Sequence, residues 1–372
     1  MHLSRRRLLY GSAGITAATA AGCSTGEESS SLTGFTGIAM PTQTSDRWVI
    51  EGGVLEKQLQ DAGYETILEY GDDDPEKQIS QIRAMIDRDV EFLIIGAIDN
   101  RSLGEVLAEA KDRDVTIISY DRLILDTPDV DYYASFDNYE VGVLQANHIL
   151  QRLGVEEEGV EGPFNVEVFA GSPDDNNSQY FFQGGLDTLE RYTYSGVIQI
   201  PSNETEQDVT AIDRWSGPIA MERMTGLLEE YYDGDRELHA VLAPYDGISR
   251  GVIYALEDFG IEPGTDEFPL ITGQDAEALS IQFIRDEKGQ TQTVFKDTRD
   301  LAAVAAGMVK SIMNGDEPEI NDLGSYNNGF KFVPAYLLQP VSIDKDNWEE
   351  ELVGSEYLTV EDVDDATEPQ EF

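Results

Sequence analysis

The 372-residue chain is 40% hydrophobic and 9% aromatic, enough apolar material for one large core or two ordinary ones and too much for a tail or a coiled coil. Its 73 acidic residues face 25 basic ones, a formal charge of −48, and a field of that sign repels phosphate backbones and anionic lipid headgroups. A nucleic-acid reader and a basic membrane-surface protein are thereby excluded. Only 8 of the cations are lysine; an acidic surface with so little lysine repels itself in dilute buffer and is screened in concentrated salt, which points to a salt-adapted protein.

Residues 1–22 contain no acid. The run Ser4-Arg5-Arg6-Arg7-Leu8-Leu9, followed by an Ala, Gly and Thr segment too short and too weak to span a bilayer, resembles a twin-arginine export signal. Such signals carry proteins that fold before transport. Next comes Ala20-Ala21-Gly22-Cys23, holding the single cysteine of the chain. Small residues before a lone Cys resemble a lipoprotein cleavage site, although Ala20 stands where Leu is commonest. The resemblance implies a lipid on Cys23 and, through it, a membrane partner. Residues 23–33 then comprise the lipidated Cys and a flexible tether, whose nine residues 24–32 reach roughly 15 to 18 Å. One cysteine allows no intramolecular disulfide and no cysteine metal site.

From residue 35 the chain alternates apolar runs with amphipathic stretches. Strands are predicted at 35–40, 65–69, 92–97, 116–120 and 132–135, with helices at 48–62, 75–88 and 103–112. The helix at 75 opens with Asp72, Asp73, Asp74 and Pro75, which suits the positive end of a helix dipole. After a helix at 138–153 and a Gly- and Glu-rich stretch, a second alternation follows. Its strands fall at 164–170, 197–201, 240–243, 270–272 and 291–294, and its helices at 179–190, 218–232, 249–259 and 276–286. A helix at 301–314 and a strand-like 335–341 have no place assigned by periodicity. Strand and helix alternation at this spacing argues an α/β protein of two doubly wound, Rossmann-like lobes.

Loops after the strands of such sheets face a crevice, and two facing lobes enclose a cleft. Polar and aromatic residues stand at those positions: Arg47 and Trp48, Asp99 and Asn100, Asp121 and Arg122, Asp137 and Asn138 in the first lobe. The second lobe supplies residues 174–177, Asp246, Gln274 with Asp275, and Lys296 with Asp297. Carboxylates, amides, Arg and Trp gathered in this way suit a neutral polyhydroxylated ligand, because planar groups bridge adjacent hydroxyls and an indole covers the C–H face of a pyranose. Asp137 and Asp297 each directly precede a helical run and read better as N-caps. Asp174 and Asp175 have an alternative reading as turn residues, and Asp121 with Arg122 a lesser one as an ordinary ion pair.

The segments 40–48 (MPTQTSDRW), 94–100 (IIGAIDN), 119–124 (SYDRLI), 131–145 (DYYASFDNYEVGVLQ), 171–177 (GSPDDNN), 243–247 (APYDG), 273–276 (GQDA) and 295–299 (FKDTR) resemble, in order, those of periplasmic-type monosaccharide-binding proteins. The nearest branch is that of the xylose-binding and multiple-sugar-binding receptors of ABC importers. The resemblance implies the type 1 periplasmic binding protein fold, two lobes joined by a three-crossover hinge and closing on one sugar. It implies ligand contacts from Arg47, Trp48, Asp121, Arg122, Asn138, Asn176 or Asn177, Trp215, Asp246 and Lys296, with Asp99, Asp137, Gln274 and Asp275 in support. The lobes are expected over 34–136 with 297–330 and over 137–296 with 331–360, followed by an acidic tail at 361–372.

The implied partners are a monosaccharide and the permease of an ABC importer with its ATPase, reached by a monomer held at the outer face of the cytoplasmic membrane. No cofactor and no metal are implied. A sensory receptor of the same fold remains an alternative, and a glycoside-processing enzyme another. Gly247-Ile248-Ser249-Arg250-Gly251 fits a nucleophile-elbow pattern, but the histidines are His2, His148 and His239. None follows Ser249, as a hydrolase of that type requires. Carboxylate pairs for glycoside hydrolysis could be drawn from Asp121, Asp137 and Asp246.

Overall fold

The computed structural model describes residues 33–367 apart from Ser45, Asp233 and Asp235. The export signal, Cys23, the tether before Thr33 and residues 368–372 lie outside the described residues. In chain order the first alternation runs β1 (Thr36–Met40), α1 (Asp46–Asp61), β2 (Thr66–Tyr70), α2 (Pro75–Ile86), β3 (Phe92–Ile95), α3 (Gly104–Lys111), β4 (Thr116–Tyr120) and β5 (Tyr132–Phe136). The acidic opening of α2 works as a cap: Asp74 accepts from the backbone N–H groups of Glu76 and Lys77, with Pro75 in the first turn.

After α4 (Asn138–Arg152) the second alternation runs β6 (Phe164–Val168), α5 (Asn176–Ser195), β7 (Ile198–Gln199), α6 (Gln207–Thr210), α7 (Gly217–Tyr231), β8 (Ala240–Leu242), α8 (Asp246–Phe259), β9 (Leu270–Ile271), α9 (Ala278–Arg285) and β10 (Thr293–Phe295). Then follow α10 (Thr298–Met313), β11 (Ala335–Leu338), β12 (Val341–Ile343) and α11 (Val360–Asp364).

Two sheets result. The first has six parallel strands in the order β11-β5-β4-β3-β1-β2. Its two faces are covered by apolar residues of α2 and α3 on one side and of α1 and α10 on the other. The second sheet has the parallel order β7-β6-β8-β9, covered by α4 and α5 on one face and α7 and α8 on the other. A parallel bridge between Gln274 and Val294 carries it on to β10, against which β12 runs antiparallel. Near-continuous burial along β1 and β3 is what a parallel strand covered on both faces requires.

The strand expected at 335–341 is two strands. β11 pairs with β5 in the first sheet, whereas β12 pairs with β10 in the second. Gln339 and Pro340 separate them, and Pro340 has no N–H with which to continue a ladder. Residues 331–338, expected in the second lobe, therefore belong with the first, where Val333, Ala335 and Leu337 are buried under α2 and α3. The chain accordingly passes between the sheets three times: β5 to α4, β10 to α10, and β11 to β12.

The acid-rich end also differs from expectation over its first residues. Thr359 and Asp362 form a capping box at the start of α11, and Val363 is fully buried beside α9. Arg285 holds Asp364 at 2.6 Å. With Gln282 donating to the Val363 carbonyl at 2.8 Å, these contacts dock a helix that composition marked as solvated.

Candidate functional site

The C-terminal ends of the parallel strands in both sheets open on a cleft of about 610 Å³, the position where doubly wound sheets bind ligands. Its first-lobe wall comes from the start of α1 and the loops after β3 and β4. The second-lobe wall comes from the start of α5, the turn before α7, the start of α8 and the ends of β9 and β10.

On the first wall, Arg47 donates to Asp121 Oδ1 at 2.6 Å and also to Glu51, one helical turn along α1. Its guanidinium lies over the Trp48 ring at 4.6 Å, and that of Arg122 does so at 5.4 Å. Trp48 is both core and wall: only 4% exposed and packed with Ile38 and Met40, it still reaches the cleft. Burial alone would push the Asp121 carboxyl up, but Arg47, Lys296 and Arg122 outweigh it and hold the group below the usual carboxylate range. Glu51 is fully buried, and burial pushes its carboxyl up to about 7 against the pull of Arg47.

Across the cleft, Lys296 Nζ lies 3.0 Å from Asp275 and within 6.0 Å of the Phe136 and Phe181 rings. Asp175 caps α5 through the Asn177 N–H and lies 3.4 Å from Arg122 Nε. The alternative reading of Asp121 and Arg122 as an ion pair with each other gives way to two other pairs, Asp121 with Arg47 and Arg122 with Asp175. Two buried polar atoms of the wall, Arg122 Nε and Gln274 Oε1, have no hydrogen-bond partner in the protein. A buried polar atom left without a partner is costly.

Trp215 forms the apolar side of the second wall, with Phe181 at 6.2 Å and Tyr245 at 5.9 Å between ring centroids. A Cβ on Gly171 would come within 1.9 Å of the indole, so the ring lies flat on a backbone position that only glycine leaves open. Arg214, Trp215, Asp121 and Asp275 all hold left-handed φ angles, 53°, 59°, 59° and 93°. Other non-glycine residues share this conformation in turns away from the cleft, among them Asp89, Asp114 and Glu356, but at the wall it aims side chains that border the cleft.

Arg47, Trp48, Asp121, Arg122, Asn177, Trp215, Gln274, Asp275 and Lys296 are brought together on the walls. Asn138 lies beneath the floor. Its side chain donates to Asn177 Oδ1 at 3.0 Å, while Asn177 Nδ2 and the Tyr133 and Ser135 hydroxyls all donate to the Asp121 carbonyl. This network ties α5 of the second lobe to the β4 end of the first. Asn176 is 9% exposed and turned away, accepting from Gln179.

Asp246, expected at the ligand, is fully buried inside the second lobe, where Gln290, Thr293 and the Glu277 N–H donate to it. Burial and the nearby Glu277 raise its carboxyl to about 8. The residue before it, Tyr245, lines the cleft instead and donates to Glu277 at 2.6 Å. Asp246 does not line the cleft because it already belongs to the first turn of α8 and is buried there. Asp99 accepts from the Arg101 N–H and Asp137 caps α4 through the Glu140 N–H; neither lines the cleft. Asp297 caps α10. Ser249 is buried and donates to the Thr272 carbonyl at 2.6 Å, a structural hydroxyl.

Sequence reasoning did not single out Glu51, Phe181 or Tyr245. For Glu51 a signal existed, since Arg47 and Glu51 stand four apart on one helix face. Among the described residues, no group of His, Cys, Asp or Glu side chains is arranged to hold a metal ion.

Comparison with known proteins agrees with this geometry. Residues 36–317 match the family model described as a periplasmic binding protein domain. The chain is 46% identical over 324 residues, 87% of its length and 90% of the relative's, to the multiple sugar-binding periplasmic receptor ChvE of Rhizobium radiobacter. It is 32% identical over 311 residues to the D-xylose-binding periplasmic protein of Escherichia coli, covering 84% and 87% of the two chains. An ABC transporter solute-binding protein from Clostridium phytofermentans, solved with bound β-D-glucose, superposes with a TM-score of 0.82 at 41% identity over 88% of this chain and 99% of that one. The chain belongs to the periplasmic binding protein family.

Proposed function

We propose that the protein is an exported receptor that captures one neutral monosaccharide between its lobes and delivers it to the permease of an ABC importer. The observation that carries this reading is the wall chemistry. The cleft cations Arg47, Arg122 and Lys296 are each paired with a wall carboxylate, Asp121, Asp175 and Asp275, which gives planar and charged forks for vicinal hydroxyls, and Trp48, Trp215 and Phe181 offer faces for sugar C–H groups. A ligand that touches both walls only when they approach biases an open and closed equilibrium, which is how a binder without chemistry passes on its state. The sugars bound by ChvE-like and glucose-bound relatives support the substrate class.

Asp121 and Asp175 both line the cleft, and their carboxyls are shifted in opposite directions, as in an acid and base pair. Each is committed elsewhere, Asp121 to Arg47 and Asp175 to the α5 cap and Arg122. That favours binding over proton transfer. Incubation with oligosaccharides is expected to release no reducing ends.

Within the same reading, the protein acts as a monomer, lipid-anchored through Cys23 and adapted to concentrated salt. Calorimetric titration of residues 33–372 with a panel of aldoses in about 2 M KCl, a condition that screens the acidic surface, is expected to show 1:1 binding near micromolar Kd, about −8 kcal/mol. Absence of heat with every monosaccharide from folded protein would overturn the substrate class.

A further inference from the structure

The chain contains three Asn-x-Ser/Thr triplets: Asn100-Arg101-Ser102, Asn176-Asn177-Ser178 and Asn203-Glu204-Thr205. The triplet is the acceptor pattern for N-linked oligosaccharide, in which the hydroxyl two residues on is read together with the amide. The fold separates the three. Asn100 is 6% exposed and Asn176 9% exposed, and Ser178 is fully buried. Asn176 also sits in the first turn of α5, beside the inter-lobe network of Asn177.

Asn203 differs in every respect. It is exposed, in the connection from β7 to α6, and residues 203–206 carry no regular secondary structure. Its φ of 56° and the bond from its N–H to the Ile200 carbonyl place it on a turn. Among the described residues, no hydrogen bond engages the Asn203 side-chain amide or the exposed Thr205 hydroxyl. The intervening Glu204 carboxylate is held aside by Arg223 at 2.6 Å.

We propose that Asn203 is a site of N-glycosylation, with a lipid-phosphate-linked oligosaccharide as donor and a membrane transferase at the outer face as catalyst. The Asn203 amide nitrogen attacks the anomeric carbon of the donor. A C–N bond forms as the C–O bond to phosphate breaks, the amide nitrogen loses a proton, and the lipid phosphate leaves. The assignment rests on the export reading of the N-terminus: a chain folded before transport offers a transferase only what its folded surface exposes. It also has a physical use. β7 is the outer strand of its sheet, paired only with β6, and Asn203 stands on the turn that follows its end at Gln199. In salt that screens the charge repulsion between molecules, a bulky neutral glycan there covers an edge that could otherwise pair with another chain. Residues 200–206 do not line the cleft, so the modification leaves sugar binding untouched.

The test uses the exported pool recovered from the producing cells, as wild type, Asn203→Gln and Thr205→Ala. The peptide spanning residue 203 is read on its own, so that a lipid on Cys23 does not enter. The wild-type peptide is expected to carry a glycan mass that both variants lack, with monosaccharide Kd unchanged within about twofold. An unmodified wild-type peptide, in protein that is exported and binds sugar, overturns this assignment alone. A chain that is never exported overturns it together with the export reading.

Discussion

Arg47, placed by the first turn of α1, is held between Glu51 and Asp121, and that placement decides the charge state of the first wall. Arg122 has the plainer role: its guanidinium lies over Trp48, with Nε 3.4 Å from the Asp175 carboxylate but making no hydrogen bond. Arg122→Ala is expected to cost about 2 kcal/mol of sugar affinity, roughly 30-fold in Kd, by stranding buried partners. Near wild-type affinity by calorimetry would remove Arg122 from the site. Glu51 sets a pH dependence. Its folded-state value of about 7 lies above its ordinary 4.5, so the folded protein binds this proton more tightly than the unfolded chain. The stabilisation is therefore present below about 4.5 and is lost as pH rises toward 7, for a total of about 3 kcal/mol. Asp246, raised to about 8, acts in the same direction. Urea unfolding at intervals from pH 5 to 8 is expected to show declining stability, with a shallower slope in Glu51→Gln; identical slopes would mean that Glu51 does not contribute.

At the scale of elements, the second lobe is organised by the approach of α4 to α5. A Cβ on Gly142 would lie 1.9 Å from the Phe181 carbonyl oxygen, and one on Gly184 would lie 2.1 Å from that of Tyr139. Two helix backbones in contact leave no room for a methyl group, and the obstacle is backbone, which cannot rotate aside. Gly142→Ala is expected to destabilise the protein by about 1 to 3 kcal/mol or more. A Cβ on Gly226, in the interior of α7, would meet nothing within 4 Å, and Gly226→Ala is expected to stabilise by about 0.5 to 1 kcal/mol. Thermal unfolding of the two variants checks both signs, and equal effects would contradict the close approach. Because α4 begins at the first crossover, its packing also fixes where the hinge starts.

At the scale of the whole molecule, two sheets share three crossovers, and the ligand walls lie where the chain has just left each strand. The chain carries a formal charge of −48. Unpaired carboxylates repel one another over a Debye length of about 10 Å at 0.1 M salt and only about 3 Å at 1 M. The melting temperature is therefore expected to climb from low to molar KCl. A melting temperature independent of KCl would count against salt adaptation.

Strand and helix alternation, the acidic opening of α2, the N-caps Asp137 and Asp297, and the placing of Arg47, Trp48, Asp121, Arg122 and Lys296 after strands were all legible in the sequence. Each depends on local periodicity, or on a side chain bonding backbone within three residues of itself. What tertiary structure alone decided is partnership. Whether Arg122 pairs with Asp121 or Asp175, whether Asp246 or its neighbour Tyr245 faces the ligand, and whether residues 335–338 join the first sheet or the second all depend on groups distant in sequence. A one-residue step at a helix start turns a side chain from cleft to core, and a strand carries no local mark of the edge it will pair with. The sequence by itself therefore determined which chemistry the chain carries, and the packing of two sheets across three crossovers determined which atoms meet.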